Sequence, residues 1–218
     1  MPDLMEHDAH ARRMDRKYGR VRHVYDLTRK YFLFGRDRAL DAVKEAAPSS
    51  IVEIGCGTGR NIARLARDNP SASVFGVDIS EQMLLTAKAK TSRFTNVRLA
   101  RADACALDTA RLFGATNVDA VLMSFSLSMI PDRKAALGRA IKALARGGLL
   151  VIVDFGDFNG YGRLGPLAIR SLAAADAPPV PDLRGLLDAC VANDKRFSVE
   201  SEMALGGYYV IATVRHNR

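Results

Sequence analysis

Val52-Glu53-Ile54-Gly55-Cys56-Gly57-Thr58-Gly59 reads as a buried strand that runs into three glycines at alternate positions and then into a helix. Glycine at these positions lets the chain turn sharply at the carboxyl end of the strand and approach a ligand with no Cβ in the way. A nicotinamide-binding loop would read G-x-G-x-x-G. Here the third glycine comes one residue early and an acid, Glu53, precedes the loop. The loop alone does not choose between nucleotide ligands, so the choice depends on what lies on either side of it.

Outward from the loop, short β-branched runs alternate with helical patterns. Strands are expected at 50–54, 73–78, 97–101, 118–123 and 149–155. Helices are expected at 61–67, 81–91, 107–113 and 132–145, the last bounded by Pro131 and by Gly147-Gly148. Strict alternation of this kind means a parallel sheet covered on both faces. After residue 155 the pattern loosens through a Gly- and Pro-containing stretch. A helix near 183–191 follows, then two strand-like runs, 197–203 and 208–214, around Gly206-Gly207, which suit a hairpin at the sheet edge. The second strand ends in Asp78, 19 residues after Gly59 and placed to accept hydrogen bonds from a ribose diol. Asp103 follows the third strand and could accept from an adenine amino group.

The 218 residues fit one full-sized domain with an extension, and 48% hydrophobic residues can fill a core. No apolar run approaches the roughly 20 residues that span a bilayer, and the acidic start of the chain resembles no leader, so a cytoplasmic protein is expected. Cys56, Cys105 and Cys190 form no C-x-x-C pair; they read as buried thiols, and no metal site is expected. The net charge is +8, of which +7 lies in residues 12–38, with ten bases and three acids. There Met14, Tyr18, Val21, Tyr25 and Thr28 form a helical stripe, Arg12, Arg16 and Arg20 lie on another face, and Tyr31-Phe32-Leu33-Phe34 follow. One reading is a helix packed on the domain with a solvated basic face. The other is a membrane-docking lid, residues 1–48, ahead of a catalytic domain at 49–218, with an anionic membrane surface as partner of residues 12–38.

Acid on the first strand, Gly-x-Gly-x-Gly, acid ending the second strand, Asp after the third and Gly-Gly before the fifth: this series resembles the class I S-adenosylmethionine-dependent methyltransferases over residues 50–155. The resemblance implies an α/β Rossmann-like fold with a seven-stranded, mostly parallel sheet whose last strand is antiparallel, plus amino-terminal amphipathic helices. It also implies S-adenosylmethionine as cofactor and S-adenosylhomocysteine as product. By the same resemblance Glu53, Gly55, Gly57 and Gly59 shape the methionine end of the cofactor site, Asp78 holds the ribose, Ile79 and Met83 flank the adenine, and Asp103 with Ala104 reads its edge. Tyr25 and Ser124 complete that cofactor set.

The position after strand four lacks the Asn-Pro-Pro-Tyr or Asp-Pro-Pro-Tyr of enzymes that methylate nucleobase or amide nitrogens, so a nucleic-acid substrate is not expected. Two blocks, residues 25–38 and 124–131, are similar to bacterial N-methyltransferases of betaine-lipid synthesis and, more distantly, to phosphatidylethanolamine N-methyltransferases. That resemblance implies three methyl transfers to diacylglycerylhomoserine, giving diacylglyceryl-N,N,N-trimethylhomoserine, by an enzyme peripheral on the inner face of the membrane. Tyr18, Tyr25 and Phe125 are the aromatic candidates for attracting a methylated ammonium, and Ser126 and Ser124 offer hydroxyls at the same rim. A quinone or small-molecule methyltransferase with the basic helix as a simple lid, a nucleic-acid methyltransferase, and a cofactor-binding module without activity are the alternatives.

Overall fold

The computed structural model describes residues 33–192 and 194–217. Seven strands form one sheet in the order β3-β2-β1-β4-β5-β7-β6. They are β1 Ser50–Ile54, β2 Ser73–Asp78, β3 Val97–Arg101, β4 Val118–Ser124, β5 Leu144–Phe155, β6 Phe197–Ala204 and β7 Tyr209–His216. The helices are α1 Arg36–Glu45, α2 Arg60–Asp68, α3 Glu81–Thr91, α4 Thr109–Phe113, α5 Arg133–Lys142, α6 Gly165–Ala174 and α7 Leu183–Val191. Strands β1 to β5 pair in parallel, whereas β7 runs antiparallel between β5 and β6. This is the sheet that the resemblance implies.

Strand β1 lies between β2 and β4, and its residues 51–54 are all buried, as a parallel sheet covered on both faces requires. Side chains alternate between two core layers. Val52, Ile54, Val121 and Ile152 pack with Leu137 of α5 and Leu187 of α7. Ile51, Leu122 and Val151 pack with Leu40 and Val43 of α1 and with Ile62 and Leu65 of α2. Ala39, Leu40 and Val43 of α1, in the stretch assigned from sequence to the amino-terminal segment, are therefore part of the core. Helix starts are fixed by side-chain caps: Ser80, Asp108, Asp132 and Asp182 each accept a backbone N–H in the first turn of α3, α4, α5 and α7.

Three expectations need correction. The helix placed at 132–145 ends at Lys142, because Leu144 already pairs with Val118. The register shifts between Val118 and Ala120, so Gly147 and Gly148 belong to the irregular start of β5 and are not a helix stop. The stretch after residue 155 contains a 3-10 segment, Asn159–Leu164, and the ten-residue α6, whose Pro166 sits in the first turn, where a missing N–H costs nothing. Of the three cysteines only Cys56 is buried; Cys105 and Cys190 are partly exposed.

Candidate functional site at the carboxyl ends of the strands

The carboxyl ends of β1, β2 and β4 meet at the glycine loop. Gly55 and Cys56 donate backbone hydrogen bonds to Val77 O at 2.8 and 3.0 Å, which ties the loop to the end of β2. Asp78 then grips it from the side: its Oδ2 accepts from Gly57 N at 2.8 Å and its Oδ1 from Ser80 N at 2.9 Å. All three glycines of the loop have positive φ, 74°, 51° and 74° in order, which L-residues with side chains avoid. They differ in surroundings. A Cβ on Gly55 would collide with Ser126, one on Gly59 would lie 2.8 Å from Ala87 Cβ, and one on Gly57 would meet no atom of the described residues within 4 Å. Gly55 and Gly59 are held by packing. Gly57 borders open space.

Glu53 lies beneath the loop, 1% exposed. Its Oε1 accepts from Asn61 Nδ2 at 2.7 Å, and its Oε2 is buried with no hydrogen-bond partner among the described residues. Burial pushes its carboxyl up to about 8, against the lowering effects of Asn61 and the nearby Arg36.

On the β4 side, Ser126 Oγ donates to Ile54 O at 2.9 Å and locks β4 to β1, while Ser124 Oγ, at the last residue of the strand, is buried without a partner among the described residues. Phe125 adopts φ 51° and turns its ring into the core, 2% exposed and 5.0 Å from the Phe155 ring in an edge contact. Its ring therefore faces Phe155 and not an open crevice. On the β3 side, Asp103 Oδ1 accepts from Cys105 N at 2.7 Å, capping the short turn Ala104–Ala106 and holding Ala104 in place. Ile79 is half-buried, with its carbonyl accepting from Arg101 Nε at 3.0 Å, and Met83 is buried inside α3. Tyr18 and Tyr25, with the basic face Arg12, Arg16 and Arg20, lie outside the described residues.

Two features were not singled out from sequence. Asp154, fully buried at the end of β5, accepts from Ser128 N at 2.9 Å and from Phe155 N at 2.8 Å, so it anchors the turn that follows β4. Its signal was an acid closing the otherwise apolar run 149–153. The second feature is a chain of aromatic rings leading away from Phe125. Phe155 lies 6.2 Å from Tyr208, and Tyr208 lies 5.4 Å from Phe34, 5.2 Å from Phe158 and 6.3 Å from Tyr161. No periodicity could join residues so far apart in sequence.

Residues 52–150 match the family described as a methyltransferase domain. At 14% identity, the chain is similar in structure to the plantazolicin methyltransferase BamL, crystallised with a triazolic desmethylPZN analogue and SAH, with a TM-score of 0.71 and coverage of 98% of this chain and 97% of that one. The chain has the class I methyltransferase fold. A Thermotoga maritima protein described as an SAM-dependent methyltransferase, possibly a histamine N-methyltransferase, gives a TM-score of 0.64 at 21% identity, over 92% of this chain and 98% of its own. Among curated proteins, demethylmenaquinone methyltransferases are similar. The one from Thermus thermophilus is 36% identical over 137 residues, 60% of each chain, and the one from Tropheryma whipplei is 30% identical over 160 residues, 70% of this chain and 63% of its own. The chain thus spans about three fifths of the length of these relatives.

Proposed function

We propose that this chain is an S-adenosylmethionine-dependent methyltransferase acting on an acceptor with an apolar body, of the demethylmenaquinone kind that its curated relatives are named for. The observation that carries the cofactor reading is the open space at Gly57, where a side chain would project, beside the Asp78 carboxylate that accepts from Gly57 N, with the buried Glu53 carboxyl on the strand that leads into the loop. These groups suit a nucleoside with a diol and a cationic tail. Asp78 would hold the ribose hydroxyls, Ile79 and the Ala104 turn would border the adenine, and Glu53 would face the cationic end. When bound, S-adenosylmethionine supplies an electrophilic methyl on a sulfonium. The protein's part is to align the acceptor atom with that methyl and to keep water away, and alignment is worth several orders of magnitude in rate. Ser124 Oγ, unpartnered at the rim of β4, is available to hydrogen-bond the acceptor.

Asp78→Ala removes the ribose acceptor and also frees Gly57 N and Ser80 N. S-adenosylhomocysteine affinity is expected to fall roughly 10- to 100-fold, the equivalent of about 1–3 kcal/mol for an unpaired polar group. Isothermal calorimetry on both proteins checks it, and equal affinities would remove Asp78 from the site.

A second reading, methylation of a lipid amine such as diacylglycerylhomoserine, is favoured by the two sequence blocks. Of these, residues 25–32 lie outside the described residues, and 124–131 contributes Phe125 and Leu127 to the core. A resemblance carried by core residues speaks more to packing than to substrate, so the first reading stands ahead. Incubation with methyl-labelled cofactor and a membrane extract, followed by mass analysis of the organic phase, separates the two. A labelled isoprenoid quinone supports the first reading, and a labelled amine lipid replaces it with the second.

A further inference from the structure

The rings that lead from Phe125 end on an exposed apolar face. Phe34 is 49% exposed, Tyr161 40%, Leu205 56%, and the face continues into Leu164 at 66% and Leu167 at 64%. Contact joins these parts. Phe34 and Tyr161 both pack on Tyr208, Gly160 N donates to Gly206 O at 2.8 Å beside Leu205, and Leu164 and Leu167 are one helical turn apart where the 3-10 segment enters α6. An apolar face of this kind on a water-exposed surface calls for a partner.

Charge narrows the choice. Between residues 158 and 175 the only charged side chains are Arg163 and Arg170, both exposed; the flanking acids are Asp157, which accepts from Asn159 N, and Asp176. Arg163 precedes Leu164, and Arg170 lies one turn beyond Leu167. Leucines flanked by arginines, with no acid among them, match the boundary between acyl chains and anionic headgroups.

We propose that this face, formed by the residue 159–174 segment with Phe34 and Leu205, lies on an anionic membrane surface. In that pose the leucines enter the interface and the arginines meet headgroup phosphates. Beneath the face, Tyr208 packs on Phe155, which ties the docking surface to the core. The proposal concerns docking alone and stands whether or not the acceptor is named correctly.

Co-sedimentation with vesicles of phosphatidylcholine and phosphatidylglycerol, beside phosphatidylcholine alone, tests it on the full chain. Wild-type protein is expected to bind the anionic vesicles, and added salt should weaken binding. Arg163→Gln with Arg170→Gln should weaken it by about thirtyfold, at roughly 1 kcal/mol per basic residue. Leu164→Ser with Leu167→Ser should weaken it at least tenfold. Thermal unfolding should hardly change in either variant, because all four side chains are exposed. Failure of the wild type to bind overturns the proposal. So does undiminished binding by both variants, which would move the membrane contact to another part of the chain such as residues 12–38. Loss of self-association in the leucine variant, with vesicle binding unchanged, would instead make this face a contact between copies.

Discussion

Gly57→Val is expected to leave a cooperatively folding protein that no longer binds S-adenosylhomocysteine, with affinity lowered at least 100-fold. The added Cβ meets no atom of the described residues within 4 Å, so the main cost to the fold is the left-handed φ of 51°, a strain of roughly 1–2 kcal/mol. Its methyl groups would fill the space a ligand needs beside Asp78. Gly59→Val provides the contrast. There the Cβ would lie 2.8 Å from Ala87 Cβ and 2.9 Å from Ala87 Cα, so the α2–α3 contact must open, at roughly 3 kcal/mol or more once the φ of 74° is included. Thermal unfolding and calorimetry on both variants separate the two roles. If Gly57→Val binds as the wild type does, the ligand does not pass this glycine.

Glu53→Gln is expected to remove a pH dependence from stability and to weaken cofactor binding together. In the unfolded chain the carboxyl loses its proton near its ordinary value of 4.5, whereas in the folded protein burial holds the proton until about pH 8. Between those values the native state binds more protons than the unfolded state, so stability falls as pH rises, by on the order of several kcal/mol across the window. Glutamine cannot ionise, so its unfolding free energy should lose that part of the slope. Asp154 is also raised by burial and contributes a slope of the same sign, and it remains in the variant. The difference between the two curves therefore isolates Glu53. A cationic ligand end at Oε2 would draw the proton off, so wild-type binding at pH 7 should release a proton that the variant does not. Denaturant titrations from pH 5 to 8, with calorimetry in two buffers of different ionisation enthalpy, measure both effects. Identical slopes would mean that Glu53 is already ionised in the free protein.

The glycine loop and the acid ending β2 were legible because they are local: strand, turn and helix follow one another within a few residues, and each glycine is required by a backbone angle. The parallel pairing of the first five strands was legible for a related reason, since strands and helices in strict alternation mean a parallel sheet. Less legible was which way a side chain points at a turn. Phe125 stands next to Ser124 and Ser126 in sequence, yet its positive φ sends the ring into the core, and no pattern of residue types reveals that angle. Helix α6 was missed because Gly165 and Pro166 read as breakers, although both suit a helix start. The aromatic path joins Phe34, Phe155, Phe158, Tyr161 and Tyr208 across the β5–β7 pairing, and only the antiparallel return of β7 brings them together.

Titration of the wild-type protein with S-adenosylhomocysteine tests the central reading most directly. Saturable binding of about one molecule per chain is expected, weakened in Asp78→Ala and lost in Gly57→Val. No binding to the wild type at millimolar ligand, or equal binding by all three proteins, would contradict it.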